Sequence, residues 1–186
     1  MYKSFRIEGI VIKRKNFGEA DKLLTIFTKD QGKIKIIAKG IRRIQSRKAP
    51  HLELFNLIKA FVYKGKTFNI ITEVETQQSF PDFKKDLSGL AYAYRIIEEI
   101  DCLCPEQEVY QNVFQLLKQT LIDLNYGQIQ PSKLTETFTR LLLTTLGFLQ
   151  RGNLMSGEEL DKYLESIIEK NLKSNGLLTK LNKIVS

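Results

Sequence analysis

The sequence predicts an α+β protein with a small five-stranded β-barrel over residues 1–80 and an all-α domain over residues 81–186. Apolar residues alternate in the first segment, as in strands, and recur every three to four residues in the second, as in helices. Charge divides at the same place. The first segment holds 17 Lys and Arg against 7 Asp and Glu, a net charge of +10, whereas the second holds 12 against 14, a net charge of −2.

The five strands are short and separated by turn residues. They are predicted at residues 5–13, 23–27, 34–38, 54–63 and 68–74. Gly18, Gly32 and Gly65 lie in the connections, and Gly32 suits a hairpin that needs a positive φ. Five antiparallel strands in about eighty residues fit an OB-fold and also an SH3-like barrel. The pattern leaves both barrels open.

The helical segment begins near Pro81, a plausible domain boundary. Helices are predicted at residues 87–100, at 109–124 with Gly127 as C-cap, and after Pro131 with Ser132 as N-cap. A fourth helix is predicted from a capping box at residues 156–159 to about residue 171, and a short last one near residues 177–184. The segment therefore predicts an antiparallel bundle.

Localisation is predicted from apolar runs and cysteines. The longest apolar run, residues 141–149, is interrupted by two threonines and a glycine, so we expect neither an export signal nor a membrane partner. Cys102 and Cys104 lie two apart, where a disulfide would be strained. Reduced thiols favour the cytoplasm.

Residues that could support catalysis are few. His51 is the single histidine, and its setting after Pro50 predicts a surface or loop role. Cys102 and Cys104 lack the further ligands that zinc requires. Residues 64–67 contain Gly-Lys-Thr, but the preceding glycine of a phosphate-binding loop is missing, so a hairpin turn fits better. We expect no enzyme, no cofactor and no metal.

Nucleic-acid binding is predicted from clustered positive charge. Residues 33–48 carry seven Lys and Arg without one Asp or Glu, and a second cluster ends the first strand. The predicted DNA-binding residues are Lys13, Arg14, Lys15, Lys33, Lys35, Lys39, Arg42, Arg43, Arg47 and Lys48. Phe17, Phe61, Tyr63 and Phe68 are candidates for stacking on bases. Such binding is largely independent of sequence and steeply dependent on salt.

An ordered series of motifs resembles the RecO family of bacterial recombination mediators. In the first segment it comprises residues 9–14, 18–28, 32–33 and 38–43. In the second, Asp86-Leu87, Ala91-Tyr92, residues 114–117, residues 140–142 and Leu146-Gly147-Phe148 agree more loosely. The resemblance therefore covers most of the chain, and it selects the OB-fold as the barrel.

What the resemblance implies is a protein of the bacterial cytoplasm and nucleoid that binds single- and double-stranded DNA and anneals complementary strands. Its partners would be RecR and the C-terminal tail of the single-stranded DNA-binding protein SSB. With RecR it would help RecA to replace SSB on the single strand. Many members carry a four-cysteine zinc module soon after the position of Leu146-Gly147-Phe148. No cysteine follows here, so we expect the module to be absent or replaced by the helix capped at Ser156.

Two other classes share the charge distribution. An RNA-binding barrel of translation or ribosome assembly would present the same basic face, and a protein-interaction adaptor would direct it at an acidic partner. Titration with DNA and RNA of one sequence distinguishes an RNA-binding barrel from a DNA-binding one. Absence of nucleic-acid binding near physiological salt indicates the adaptor. A nuclease, the remaining class, would cleave labelled DNA in magnesium or manganese.

Overall fold

The protein is described here by a computed structural model that covers residues 3–127, 129–169, 172–174 and 176–178. The chain groups into two units. Residues 1–79 and 104–114 form the first, which we call the barrel unit, and residues 80–103 and 115–186 form the second, the helical unit. Segment 104–114, which the periodicity placed in the helical half, thus groups with the barrel.

The barrel unit consists of five strands that close on themselves. They are β1 (Ser4–Phe17), β2 (Asp21–Thr28), β3 (Gly32–Ala38), β4 (Leu57–Tyr63) and β5 (Asn69–Gln78). Their order around the barrel is β1-β2-β3-β5-β4, and β1 pairs with β4 to close it. All pairs are antiparallel except β3 with β5. This five-stranded closed barrel confirms the predicted OB-fold.

Strand β1 closes the barrel because it is long enough to pair on both sides. Residues 4–10 pair with β4, residues 9–17 pair with β2, and the register shifts between Val11 and Lys13. Such a bulge bends a strand and increases its twist. At Gly9, where the two pairings overlap, a Cβ atom would lie 2.6 Å from Cγ2 of Ile26 and 3.0 Å from the carbonyl oxygen of Phe27. Only glycine fits this corner without a shift of its neighbours.

The barrel core is aliphatic and includes residues from the connection between β3 and β4. Its strand members are Ile7, Val11, Leu24, Ile26, Ile34, Ile36, Ala38, Ile58, Ala60, Val62 and Ile71, and Ile41 and Leu52 join them from the connection. Strand β4 begins at Leu57, later than the predicted residue 54. The delay arises because Phe55 has a φ of 73° and cannot continue a strand.

Residues 106–108 of segment 104–114 lie beside the start of β3. Lys33 forms a parallel bridge with Glu106, and the backbone N–H of Gln107 donates to the carbonyl of Lys33 at 3.0 Å. A Cβ at Gly32 would lie 1.9 Å from the carbonyl oxygen of Glu108, so the close approach depends on this glycine. Glu106 therefore adds one isolated bridge to β3, which the sequence pattern did not indicate.

Four helices follow in the described residues: α1 (Leu87–Leu103), α2 (Gln111–Tyr126), α3 (Pro131–Thr145) and α4 (Gly157–Ile168). Within the helical unit α1 packs on α3, and α3 contacts α4. Residues 173, 174 and 176–178 are also helical. Of the last predicted helix, near 177–184, residues 179–184 lie outside the described part of the chain. None of the helices described here has the length and apolarity to span a bilayer.

The helix ends confirm some predictions and correct others. Helix α2 ends at Tyr126, and Gly127 follows with a φ of 66°, as predicted for a C-cap. Helix α3 begins at Pro131 with Gln130 as N-cap, so the prediction of Ser132 was wrong. Proline suits the first helical position because its φ is preset and its missing N–H is not needed there. Ser156 is the N-cap of α4, but its side chain makes no capping hydrogen bond.

A buried polar network joins three helices of the helical unit. Arg95 on α1 donates to Glu99 at 3.0 Å and forms a bidentate pair with Asp161 on α4. The Thr139 hydroxyl on α3 lies 2.9 Å and 3.0 Å from the two oxygens of Glu99. Burial raises the pKa of Glu99 to about 7, against the opposing effects of Arg95 and Thr139. The network therefore contains a carboxyl group whose charge depends on the partners that surround it.

Candidate nucleic-acid interface

The connection between β3 and β4, residues 39–56, carries the densest positive charge; we call it the basic loop. Ile41, Leu52 and Phe55 are buried and hold it against the barrel. The N–H of Arg42 donates to the carbonyl of Ala20 at 2.9 Å, and that of Gly40 donates to a carboxylate oxygen of Asp21 at 2.7 Å. The basic loop is thus anchored to the turn between β1 and β2.

Further contacts fix the C-terminal part of the basic loop. The side-chain amide of Asn56 donates to the carbonyls of Pro50 and His51, both at 3.1 Å. Nδ1 of His51 accepts a hydrogen bond from the backbone N–H of Thr76 at 3.2 Å. His51 lies in the loop, as predicted, and its ring ties the loop to β5. These contacts give the charged side chains a defined base.

Four predicted binding residues project from the anchored loop. Lys39, Arg42, Arg43 and Arg47 are all exposed. Nη1 of Arg42 donates to the carbonyl of Gly18 at 3.3 Å, and a guanidinium group has further N–H donors that could contact a second partner. Guanidinium groups suit phosphate because their planar fork matches two oxygens. The anchored loop therefore exposes four cationic side chains, three of them guanidinium groups.

A second group of cations lies on the strands. The strand register aligns Lys13 of β1 with Thr25 of β2, and Thr25 with Lys35 of β3. Directly opposed residues share one face of a sheet, so Lys13 and Lys35 lie on the same face, two strand spacings or about 10 Å apart. Lys13 and Lys35 are exposed, as is Lys15 nearer the end of β1.

Three predicted residues are used within the barrel unit. Arg14 forms an ion pair with Glu53 of the basic loop. Lys33 has 6% of its surface exposed, and Nζ of Lys48 donates to the carbonyl of Ile71 at 3.3 Å. Burial and these contacts leave little of the three side chains for phosphate. The other seven predicted residues are exposed, four in the basic loop and three on the strands: Lys39, Arg42, Arg43, Arg47, Lys13, Lys15 and Lys35.

Glu106, which lies outside the five strands, pairs with one of the strand lysines. Its carboxylate lies 2.5 Å from Nζ of Lys35, and both side chains are about half exposed. The neighbouring Cys104 thiol is buried, and burial raises its pKa to about 12 against the opposing charge of Lys33. Segment 104–109 therefore places the Glu106 carboxylate and a neutral thiol beside the lysines of β3, and it carries a second acidic residue, Glu108.

The aromatic residues differ in their availability. Phe17 is 40% exposed, and its ring meets that of Phe68 edge-on with centroids 5.8 Å apart. Phe61 is covered on one side by the Arg6 guanidinium, 4.5 Å from the ring centre. Tyr63 is 38% exposed. Phe17 is the aromatic ring closest in sequence to the Gly18 carbonyl that Arg42 contacts, which favours it as a stacking surface.

Two lysines that sequence reasoning did not include line a groove beside β3. Lys64 and Lys66 lie in the turn between β4 and β5, which confirms the hairpin interpretation of residues 64–67. The groove has a volume of 830 Å³ and is also lined by Lys35, Phe68 and Glu106. The two lysines on either side of Gly65 are the sequence signal that could have identified this part of the surface.

Among the residues that the structure describes, no cluster of three or more His, Cys, Asp or Glu could hold a metal ion.

Residues 1–80, which include the whole strand barrel, match the family described as "Recombination protein O N terminal". A DNA repair protein RecO from Symbiobacterium thermophilum is 33% identical over 144 residues, which cover 77% of this chain and 57% of that protein. The chain belongs to the RecO family. The RecO resemblance in the sequence is thus confirmed.

Further RecO relatives agree. DNA repair protein RecO from Moorella thermoacetica is 33% identical over 147 residues, covering 79% of this chain and 54% of that protein. The RecO protein of a Roseiflexus species is 35% identical over 123 residues, covering 66% and 43%. The chain thus spans about half the length of the curated RecO proteins that it matches.

Proposed function

We propose that this chain is a DNA-binding recombination mediator of DNA repair, which anneals complementary single strands and, with RecR, helps RecA to replace SSB. The observation that carries the proposal is the anchored basic loop. Its exposed arginines project from a barrel of the RecO family. The relatives are named DNA repair proteins. Together these features favour DNA over the RNA and adaptor alternatives.

Annealing needs no bond chemistry from the protein. Two complementary strands repel each other through their phosphates, and cations that neutralise the phosphates lower that repulsion. Contacts to the phosphates leave the base edges free to pair. The binding residues that best fit this role are Lys13, Lys15, Lys35, Lys39, Arg42, Arg43 and Arg47, because their side chains are exposed. Single and double strands then bind through the same surface.

The partner proteins belong to the same proposal. RecR would bind the mediator on DNA, and the acidic, apolar C-terminal tail of SSB would dock on the helical unit. Both expectations come from family membership, so they require direct measurement. Binding of a fluorescent SSB-tail peptide, followed by anisotropy, tests the second.

The decisive experiment uses two complementary DNA strands, each coated with SSB. Duplex formation is followed by fluorescence with and without the protein. We expect acceleration, and we expect its loss when Arg42 and Arg43 are replaced by glutamate. A folded wild-type protein that gives no acceleration would contradict the annealing role, and tighter binding of RNA than of DNA in a parallel titration would favour the translation alternative.

Replacing Glu106 by glutamine is expected to raise the affinity for DNA, whereas the arginine replacements lower it. Because Glu106 pairs with Lys35, Glu106→Gln frees a cation for phosphate. Each additional contact with a phosphate of a single strand steepens the slope of log affinity against log salt by about 0.7. Relative to 1 M salt, this corresponds to about a fivefold gain in affinity at 0.1 M salt. Anisotropy titrations of single-stranded DNA at several salt concentrations measure both quantities.

The control for Glu106 is Glu75→Gln on β5, which changes the net charge equally. The carboxylate of Glu75 accepts a hydrogen bond from Gln77. We expect a smaller gain for Glu75→Gln and an unchanged salt slope. Equal gains for the two variants would show that net charge, and not the release of Lys35, sets the affinity.

A further inference from the structure

An apolar side chain stands at the apex of the basic loop. Ile44 is 105% exposed relative to an extended reference, the highest value among the large apolar residues described. Two turns hold it there, because the N–H of Arg43 donates to the carbonyl of Gly40 at 3.1 Å and that of Ser46 donates to the carbonyl of Arg43 at 2.9 Å. The apex is thus a defined projection from the barrel.

The neighbours of Ile44 are the cations of the proposed interface. Arg42 and Arg43 precede it, Arg47 follows it, and all three are exposed. By contrast, Ile41, three residues earlier, is buried in the barrel core. Single exposed apolar residues are common on proteins. An exposed isoleucine within three positions of three exposed arginines is different, because a strand drawn to those arginines comes close to it.

We infer that Ile44 contacts base faces of a single DNA strand and unstacks a base step, while the flanking arginines hold the adjacent phosphates. Proteins that separate stacked bases insert apolar side chains such as isoleucine between them. The inference rests on the proposed DNA binding and adds a contact to bases. An unstacked strand presents its base edges to a complementary strand, which suits annealing.

The test separates contact with bases from attraction to phosphate. A single-stranded oligonucleotide carrying 2-aminopurine, whose fluorescence rises when it unstacks, is titrated at several salt concentrations while anisotropy reports binding. For the wild-type protein we expect a rise in 2-aminopurine fluorescence on binding. Ile44→Ser should abolish the rise and weaken binding about tenfold, a loss that matches burial of one aliphatic side chain. The salt slope should stay unchanged, since no phosphate contact is removed.

Two variants complete the design. Ile44→Leu keeps an apolar side chain and should retain the fluorescence rise, whereas Gln45→Ser changes an exposed neighbour and should leave both signals as in the wild type. DNA binding by Ile44→Ser with wild-type affinity and a wild-type fluorescence rise would overturn this inference alone. A wild-type protein that binds no DNA would overturn the proposed function, and the inference with it.

Discussion

Replacing both Arg42 and Arg43 by glutamate is expected to weaken binding to single-stranded DNA by at least about 25-fold at 0.1 M salt. The estimate follows from two lost phosphate contacts, each contributing about 0.7 to the slope of log affinity against log salt. The slope should therefore fall by about 1.4. Repulsion between the new carboxylates and phosphate adds to the loss. Anisotropy titrations from low to moderate salt measure both the affinity and the slope.

The matched control reverses two exposed cations of the helical unit, Lys133 and Arg151, to glutamate. Both double variants change the net charge by the same amount, so a general field effect would weaken the two alike. We expect the control to keep most of the affinity and nearly the full slope. Equal losses in the two variants would reject the basic loop as the centre of binding.

Replacing Arg42 and Arg43 by glutamate should not unfold the protein. Arg42 and Arg43 are exposed, and the contact of Arg42 that fixes the loop to Ala20 uses its backbone N–H, which any residue except proline supplies. The buried anchors Ile41 and Leu52 are untouched. Unchanged thermal melting is the check on this expectation, because a loss of binding then reports on the interface.

The sequence predicted the barrel and the basic loop well because both depend on local patterns. Alternation of apolar residues is a property of each strand by itself, and the charge run of the loop is continuous in sequence. The parallel pairing of β3 with β5 and the packing of segment 104–109 on β3 were invisible, since they join residues far apart in the chain.

Because local patterns do not show contacts between distant residues, the sequence could not tell which of the predicted binding residues are exposed and which are buried or paired. Lys33 and Lys35 lie two residues apart on β3, so the sequence places them on the same face. Lys33 is nevertheless buried, whereas Lys35 is exposed and paired with Glu106. Arg14 meets Glu53 through a contact that spans 39 positions. Local patterns identify a cationic surface, whereas the partners that occupy individual cations come from elsewhere in the chain.

The buried network of the helical unit gives the largest expected effect on stability. Arg95→Met removes the cation that faces Glu99 while preserving much of the side-chain volume. Loss of one partner from a buried ion pair costs up to about 3–5 kcal/mol of unfolding free energy while the other charge stays buried without compensation, and protonation of Glu99 sets the upper limit here. Thr139 alone would remain as the hydrogen-bond donor recorded for Glu99 among the described residues. Chemical denaturation at pH 8, followed by circular dichroism, measures the loss.

The pH dependence of that loss identifies its cause. Burial already raises the pKa of Glu99 from 4.5 to about 7, and removal of Arg95 should raise it further. A carboxyl group whose pKa is higher in the folded state binds more protons there, so stability falls as pH rises through the interval between the two values. Glu99 is neutral in both folded proteins at pH 5, whereas at pH 8 it is mostly ionised beside Arg95 and has to stay protonated in the variant, so the share of the Arg95→Met penalty that comes from this carboxyl group should appear at pH 8 and vanish at pH 5.

A second variant tests the same charge from the other side. Replacing Arg95 by Met and Glu99 by Leu together removes both buried groups, and it should recover much of the stability lost by Arg95→Met, because a well-packed apolar pair often replaces a buried ion pair at little cost. Asp161 is 40% exposed and can be solvated without Arg95. An equal penalty for Arg95→Met at pH 5 and pH 8, with no recovery in the double variant, would assign the loss to packing rather than to the buried carboxylate.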